Sequence, residues 1–514
     1  MFDLGTSFIA SVARDPSATA IVDGDLRLTY AGWYTRISSV VAGLDALGIK
    51  PGDHLVSLLQ NRWEAASLHW ACQLAGIILT PLNWRATAQD LDYCLADAEA
   101  TALVYEDIAQ VAVANAAGAT NLPRVRVGTA APHEVAFTHL LTTAPDATPR
   151  ATAEDWSLML YTSGTTSRPK GVPRRHVAER AAAIAHIAQN RYARGERTLG
   201  VMPLYHTMGV RSLLAMSLIG GTFVCQPRFD PSAALATIAR ERITNLYLVP
   251  TLYHDMLHHE RFGHTDISSV RKLGFAGAAM TDALLQKLQA AFRPDLFVNH
   301  YGSSEIYTCT INDDAPRKPG SAGRAGLNQM IRVVPFGAAT PHQRAAPGEE
   351  GEIAALLIGD EAFEGYWRRP EADAKALRDG WFMTGDTGYF NAYGDLYLTG
   401  RVDDMIITGG ENVSPLEVEN HLSLHPAISE VAVVGLPDER WGKIVAAFIK
   451  RRSPVTPEDL DAHCRNSVLA TFKRPRRFIF VEDLPKSPVG KLLRRKLVAG
   501  DYTPEPTPEQ DTQA

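Results

Sequence analysis

Long hydrophobic runs are missing from this chain of 514 residues. The longest, near 213–224, is interrupted by Ser217 and by glycines and is too short to span a bilayer. Cysteine is scarce. Cys72, Cys94, Cys225, Cys309 and Cys464 are scattered, odd in number and in no metal-ligand spacing, which excludes a disulfide framework and favours reduced thiols. No charge dominates: 51 Lys and Arg stand against 57 Asp and Glu, a net −6, so the basic surface of a nucleic-acid binder is absent. The start, Met-Phe-Asp-Leu-Gly, has no basic stretch ahead of an apolar one. No signal peptide is expected, and the expected location is cytoplasmic, with neither membrane nor nucleic acid as partner. Internal repeats and low-complexity tracts are also lacking. Apolar residues make up 46% and charged residues 21%, as in an ordinary globular protein, and the length suggests two to four domains.

What is present is alternation. Residues 28–49 carry apolar side chains at helical spacing and end at Gly48 and the turn Pro51-Gly52-Asp53. Residues 54–59 read as a buried strand, 63–74 as a helix and 77–81 as a strand. Strands follow at 101–105, 157–161, 199–202, 222–225, 245–249, 272–276 and 296–300. Strands alternating with helices imply parallel sheets with functional loops at their carboxyl ends. After about residue 320, short segments punctuated by glycine (351–357, 381–382, 394–399) suggest a β-rich subdomain. A last unit from 403 reads as α+β, with helices at 414–424 and 457–468 and strands at 430–436, 444–451 and 477–481. The expected division is 1–402, 403–500 and a solvated tail, 501–514.

The densest chemistry lies in 161–172, Tyr-Thr-Ser-Gly-Thr-Thr-Ser-Arg-Pro-Lys-Gly-Val. Hydroxyls and backbone N–H groups can donate to phosphate oxygens, glycines allow close approach, and Lys170, with Arg168 beside it, adds positive charge. The Walker A spacing is absent. Four further segments follow: Asn299-His300-Tyr301-Gly302-Ser303-Ser304-Glu305; Thr384-Gly385-Asp386; Gly400–Ile406 running on to Thr408-Gly409-Gly410-Glu411-Asn412; and Pro485-Lys486-Ser487-Pro488-Val489-Gly490-Lys491.

These five segments, in this order, resemble the adenylate-forming superfamily of acyl-CoA synthetases, adenylation domains and firefly luciferase. The C-terminal wording at 400–412, 434–442, 472–477 and 491–495 is most similar to aryl-CoA ligases of the 4-chlorobenzoate type. The resemblance covers essentially the whole chain. It implies a large N-terminal domain of stacked, mostly parallel α/β sheets with a β-rich subdomain, and a small mobile α+β C-terminal domain. It also implies ATP, Mg²⁺ and coenzyme A, an acyl-AMP intermediate, and release of AMP and pyrophosphate. A benzoate- or hydroxycinnamate-type acid leads the expectation. The rivals are an aliphatic or alicyclic acid, a carrier-protein thiol in place of coenzyme A, and a nucleotide sensor without catalysis. A homodimer, which the family often forms, is written nowhere in these residues.

Site residues are implied by the same resemblance. Thr162, Ser163, Gly164, Thr165, Thr166 and Lys170 would hold the β- and γ-phosphates, and Glu305, with Thr166, the magnesium. Gly277, Ala278, Ala279 and the run Asn299, His300, Tyr301, Gly302, Ser303 and Ser304 would surround the nucleotide. Asp386, supported by Arg401, would take the ribose hydroxyls. Tyr301 is either a ring stacked on adenine or a core aromatic. Lys491 would bridge carboxylate and α-phosphate. Its local context is a basic run of the kind that is usually a solvated face, and only the Pro-x4-Gly-Lys setting singles it out. His206, Thr207, Met208, Gly209, Ala278, Gly302, Ile306, Tyr307 and Thr308 would enclose the acid, His206 being either a gate or a core histidine. No acidic residue occurs in 204–214, which argues against amino-acid substrates. Arg85, Gly409, Gly410, Trp441, Phe472, Arg474 and Arg476 would meet coenzyme A, and Asp403 would be the hinge. Two departures stand out: Ser167 replaces a customary glycine, and Ser304 a customary threonine. His254, His258 and His259 lack the His-Glu-x-x-His order and read as surface histidines.

Overall fold

The computed structural model describes residues 1–162, 168–467, 469–486 and 492–506. A seven-stranded sheet runs in the order Val135–Ala136, Arg124–Val127, Ala102–Glu106, His54–Leu58, Ile78–Pro81, Trp156–Thr162, Lys170–Arg175. All its pairings are parallel except the last, a hairpin. A second sheet carries the parallel strands Thr19–Asp23, Thr222–Cys225, Arg197–Gly200, Asn245–Leu248, Lys272–Phe275 and Leu296–Tyr301. Beyond Tyr301 the same sheet continues antiparallel through Thr310–Asn312 and Ser321–Ala325 into Leu396–Arg401, Trp381–Phe390, Gly351–Leu356 and Ile331–Pro335.

Helices fill the space between the sheets. One apolar cluster runs from Leu55, Leu79 and Val104 of the first sheet through Trp33, Trp70 and Leu213 on helices to Ile21 and Phe223 of the second. The helix Tyr30–Ala46 shows how sequence spacing produces this. Trp33, Ile37, Val40, Val41 and Leu44 recur at helical intervals and are buried, and Thr29 caps the first turn by accepting from Gly32 N.

Two readings of the sequence need correction. Residues 26–29 form a strand paired with Thr19–Asp23, so the helix begins only at Tyr30; Leu28 satisfies both periodicities, and the cap at Thr29 marks the boundary. The strand expected at 381–382 runs over Trp381–Phe390, and Thr384-Gly385-Asp386 lies within it. Small and polar residues hide that strand from an apolar pattern, while its ladders to Gly351–Leu356 and Leu396–Arg401 hold it.

The C-terminal part has its own three-stranded sheet, Ile428–Asp438 antiparallel to Gly442–Arg451, and Arg477–Phe480 parallel to the latter. A short ribbon, Ile406–Thr408 with Glu411–Val413, precedes it. Helices Pro415–Ser423 and Pro457–Arg465 pack on the sheet, and its two apolar clusters draw only on residues from 406 onward. Ser414 caps the first of these helices and also donates to Thr399 O of the large sheet.

Candidate active site

The hydroxyl-rich segment is flanked by the antiparallel strands Trp156–Thr162 and Lys170–Arg175, in which Thr162 stands opposite Lys170. Ser163, Gly164, Thr165, Thr166 and Ser167 lie outside the described residues. The base of the hairpin is fixed by side chains from elsewhere: Tyr161 donates to Asp97 at 2.8 Å and Tyr93 to Pro169 O at 2.8 Å, while Arg168 lies over the Tyr93 ring. Lys170 is thereby directed inward, its Nζ 3.9 Å from the centre of the Tyr366 ring. The Tyr366 hydroxyl donates to Glu305 Oε1 at 2.7 Å. Burial, and then the Glu305 charge, push the Tyr366 phenol above its ordinary range, so it stays a donor.

Strand Leu296–Tyr301 supplies the neighbouring groups by alternation. His300 points into the core against His186 and Tyr247, with Asn190 at 3.3 Å, and burial holds it neutral. Any part of residue 300 near a nucleotide is therefore its backbone. Asn299 donates to Ser321 O at 3.0 Å. Tyr301 packs in an apolar cluster with Ile306 and Phe382, and its hydroxyl donates to Asp386 at 2.7 Å. Asp386 faces Arg401 across the ladder at 3.1 Å, so it is oriented from two sides. The chain then turns sharply: a Cβ at Gly302 would lie 2.1 Å from Tyr307 O. Ser303 N closes the turn on Ile306 O at 2.9 Å, with Ser304 half-buried within it, and Glu305 follows, 8% exposed.

Helix Thr207–Ile219 begins beside this loop. His206 is its N-cap, accepting from Met208 N through Nδ1 at 3.3 Å, which leaves Nε2 as the protonated nitrogen. Buried Asn61 bonds Gly200 O, Met202 O and Leu204 N and so holds the segment leading to His206. Gly277, Ala278 and Ala279 form an exposed turn after Lys272–Phe275, and Gly277 lies against Val249 and Met208. Thr207, Met208, Gly209, Ile306, Tyr307 and Thr308 are all buried. Glu305 of the 302–308 loop is thus linked through Tyr366 to Lys170, and Tyr301, just ahead of that loop, to Asp386.

Residues 8–367 match the AMP-binding enzyme family, and 417–491 match the AMP-binding enzyme C-terminal domain. The chain belongs to the AMP-binding enzyme family. This AMP-binding enzyme is 34% identical over 501 residues to a feruloyl-CoA synthase from an Amycolatopsis species, covering 96% of this chain and 97% of the relative. It is 33% identical over 510 residues to a 4-chlorobenzoate–CoA ligase from an Arthrobacter species, covering 97% and 96%. Among solved structures, ATP-bound MatB from Rhodopseudomonas palustris superposes with a TM-score of 0.88 at 28% identity, covering 97% of this chain and 99% of that one. The protein is an adenylate-forming acid–thiol ligase, akin to aryl-CoA ligases.

In the C-terminal part of the AMP-binding enzyme, Gly409 N donates to Trp441 O at 3.0 Å, and a Cβ at Gly409 would lie 2.7 Å from Trp441 Cε3. Arg476 lies 4.3 Å over the Trp441 ring, which brings three of the candidate coenzyme A residues together. Gly410 continues the same turn, Phe472 is exposed on a short 3-10 turn, and Arg474 is half-buried. Arg85 stands apart, over Trp84 and beside Tyr205. Asp403 sits in the turn after Arg401. The next residue, Asp404, is 3.5 Å from Arg494, which also pairs with Glu419 at 2.8 Å. Lys491 lies outside the described residues. Its flanks Lys486 and Leu492 form an antiparallel bridge.

Several residues around the site carried no signal in the sequence. Tyr366, between Lys170 and Glu305, follows a glycine in an otherwise ordinary loop. Arg174 donates to Glu305 O at 3.0 Å and Glu361 O at 2.7 Å and pairs with Glu179 at 2.8 Å, both side chains being fully buried. Glu361 accepts from Thr308 N at 3.0 Å. Arg211 donates to Tyr307 O at 3.1 Å. Tyr307 lies between the two arginines, its ring centre 4.1 Å from Arg174 Cζ and 5.7 Å from Arg211 Cζ. Arg211 had one visible mark: a lone charge inside the apolar run 208–219.

Proposed function

We propose that this protein is an ATP- and Mg²⁺-dependent aromatic carboxylate–CoA ligase acting on a benzoate- or hydroxycinnamate-type acid. The observation that carries this reading is the linked set Lys170–Tyr366–Glu305 and Tyr301–Asp386–Arg401, hung on one strand and the loop that follows it. The set has a cation and a carboxylate for the triphosphate end and an oriented carboxylate for the ribose. The aryl-type relatives support the choice of acid.

The substrate carboxylate attacks the α-phosphorus of ATP, and the bond to pyrophosphate breaks. Lys170 and the hairpin hydroxyls take up charge on the β- and γ-phosphates, and Lys491 bridges the carboxylate and α-phosphate as charge gathers there. Asp386 fixes the ribose by accepting from both hydroxyls. Glu305 suits Mg²⁺ carried on the phosphates: it is a single hard oxygen donor held in place by Tyr366, and among the described residues no group of three or more His, Cys, Asp and Glu could cage an ion. That ion, when bound, neutralises phosphate charge. The coenzyme A thiolate then attacks the acyl carbon and AMP departs. We place the domain boundary at 402/403, with Asp403 as the pivot that exchanges Lys491 for the Gly409–Trp441 face. Acid-dependent exchange of labelled pyrophosphate into ATP, run with benzoates, cinnamates, phenylacetates and short fatty acids, tests the reading. Exchange is expected with aromatic acids, and none with any acid would overturn it.

A further inference from the structure

Arg174 and Arg211 of the large part have fully buried side chains, and their surroundings differ. Arg174 is neutralised by Glu179. Arg211 is 2% exposed, and no carboxylate among the described residues lies within ion-pair distance of it. Its guanidinium donates instead to neutral oxygens: Tyr307 O at 3.1 Å, Thr308 Oγ1 at 2.5 Å and the Tyr247 hydroxyl. Its Nε finds no acceptor. The nearby carboxylate of Glu361 is engaged by Thr308 N and Asn328. A guanidinium does not shed its proton, so a buried one whose direct partners are all neutral, with the Glu361 charge acting on it only at longer range, is costly unless a ligand answers it.

The bonds from Arg211 also set its neighbours. The Thr308 and Tyr247 oxygens accept from the guanidinium, so each hydroxyl proton is turned away from it, and neither meets an acceptor among the described residues. Three donors near the junction of the 302–308 loop and helix Thr207–Ile219, Arg211 Nε and the two hydroxyls, are therefore left without an acceptor among the described residues. Arg211 stands five residues beyond His206, or ~7.5 Å further along the helix axis at 1.5 Å per residue. A ring whose carboxylate lies near His206 would bring its opposite end to this cluster.

We propose that Arg211, with Thr308 and Tyr247, reads an oxygen substituent at the far end of the substrate acid. It selects aromatic carboxylates bearing a hydroxyl or a second carboxylate over those ending in hydrogen or halogen. The proposal rests on the ligase reading above. A site built to hydrogen-bond a substituent discriminates strongly against its absence, because its own buried donors are then left unpaired.

The test is pyrophosphate exchange by the full-length enzyme with matched acids: benzoate, 4-chlorobenzoate, 4-hydroxybenzoate and 4-carboxybenzoate, and cinnamate with 4-hydroxycinnamate. In at least one series, kcat/KM for the oxygenated acid should exceed that of its unsubstituted partner by about 10–100-fold, as for a hydrogen bond to a charged group. Thr308→Val and Tyr247→Phe should each shrink that ratio several-fold, and Arg211→Met should bring it near one. A purely structural role would lower all acids alike and leave the ratio untouched. Should Arg211→Met fail to fold in a thermal melt, the two hydroxyl deletions carry the test. Equal kcat/KM across the pairs, or a ratio unmoved by both hydroxyl deletions, overturns the inference alone. Absence of exchange with every acid overturns the ligase reading and this inference with it.

Discussion

Glu305 is held at three points by residues far away in the chain: Tyr366 on its carboxylate, and Arg174 and Phe363 N on its carbonyl oxygen. Removing the phenol should loosen the carboxylate while leaving the loop in place. Tyr366→Phe is expected to cost about 1 kcal/mol of stability or less and to raise KM for Mg-ATP more than KM for the acid. Steady-state kinetics at varied Mg-ATP checks this, and an unchanged KM for Mg-ATP would remove Tyr366 from the role. Lys491→Ala should slow adenylation by about 10²–10³-fold, by analogy with loss of one preorganised donor, while thioester formation from synthetic acyl-AMP persists. Equal damage to both half-reactions would refute the role given to Lys491. Tyr366 does not announce itself locally, and Lys491 does so only through its Pro-x4-Gly-Lys setting. Lys491 sits in a basic run and Tyr366 among loop aromatics, and a side chain's partner cannot be inferred from its immediate neighbours in sequence.

Arg174 is next to last in its strand and Glu179 lies in the first turn of the next helix, so their buried pair staples strand Lys170–Arg175 to helix His176–Gln189. Breaking one half strands a charge in the core. Arg174→Met is expected to destabilise by about 3–5 kcal/mol, and the double change Arg174→Met/Glu179→Leu to recover much of that. Urea denaturation of the three proteins measures it, and a double variant no more stable than Arg174→Met would argue against the pair. The ribbon Ile406–Thr408/Glu411–Val413 makes a different demand. Gly409 has φ +60° and no room for a Cβ against Trp441. Gly409→Ala should slow thioester formation well beyond any effect on pyrophosphate exchange, and equal effects on both would detach the ribbon from the second step. Most elements were legible from their spacing, because a buried helix face or strand imposes a period on its apolar residues. Trp381–Phe390 was not, since the Thr-Gly-Asp within it interrupts its apolar pattern.

At the scale of the molecule, the AMP-binding enzyme joins two sheets over shared helices to a smaller unit with its own clusters. The turn around Asp403 leads from one to the other. Proline there fixes φ and removes an N–H, so Asp403→Pro should impair overall coenzyme A turnover while single half-reactions survive. Unimpaired turnover would take Asp403 out of the pivot. Arg494 bears on the same region, pairing with Glu419 and lying near Asp404 just beyond the Lys491 segment. In sequence it is one of a basic run; in the fold it is a half-buried tie.

By itself the sequence determined the family, the alternation of elements and the order of the reacting segments, because those depend on local spacing and on residue types set close together. Only the tertiary structure decided that Tyr366 orients Glu305, that Tyr301 holds Asp386 and that Arg211 is a buried cation bonded to Thr308. Those pairings span 61, 85 and 97 residues. They follow from the requirement that buried polar atoms be paired, a requirement met across space, with no trace in local periodicity.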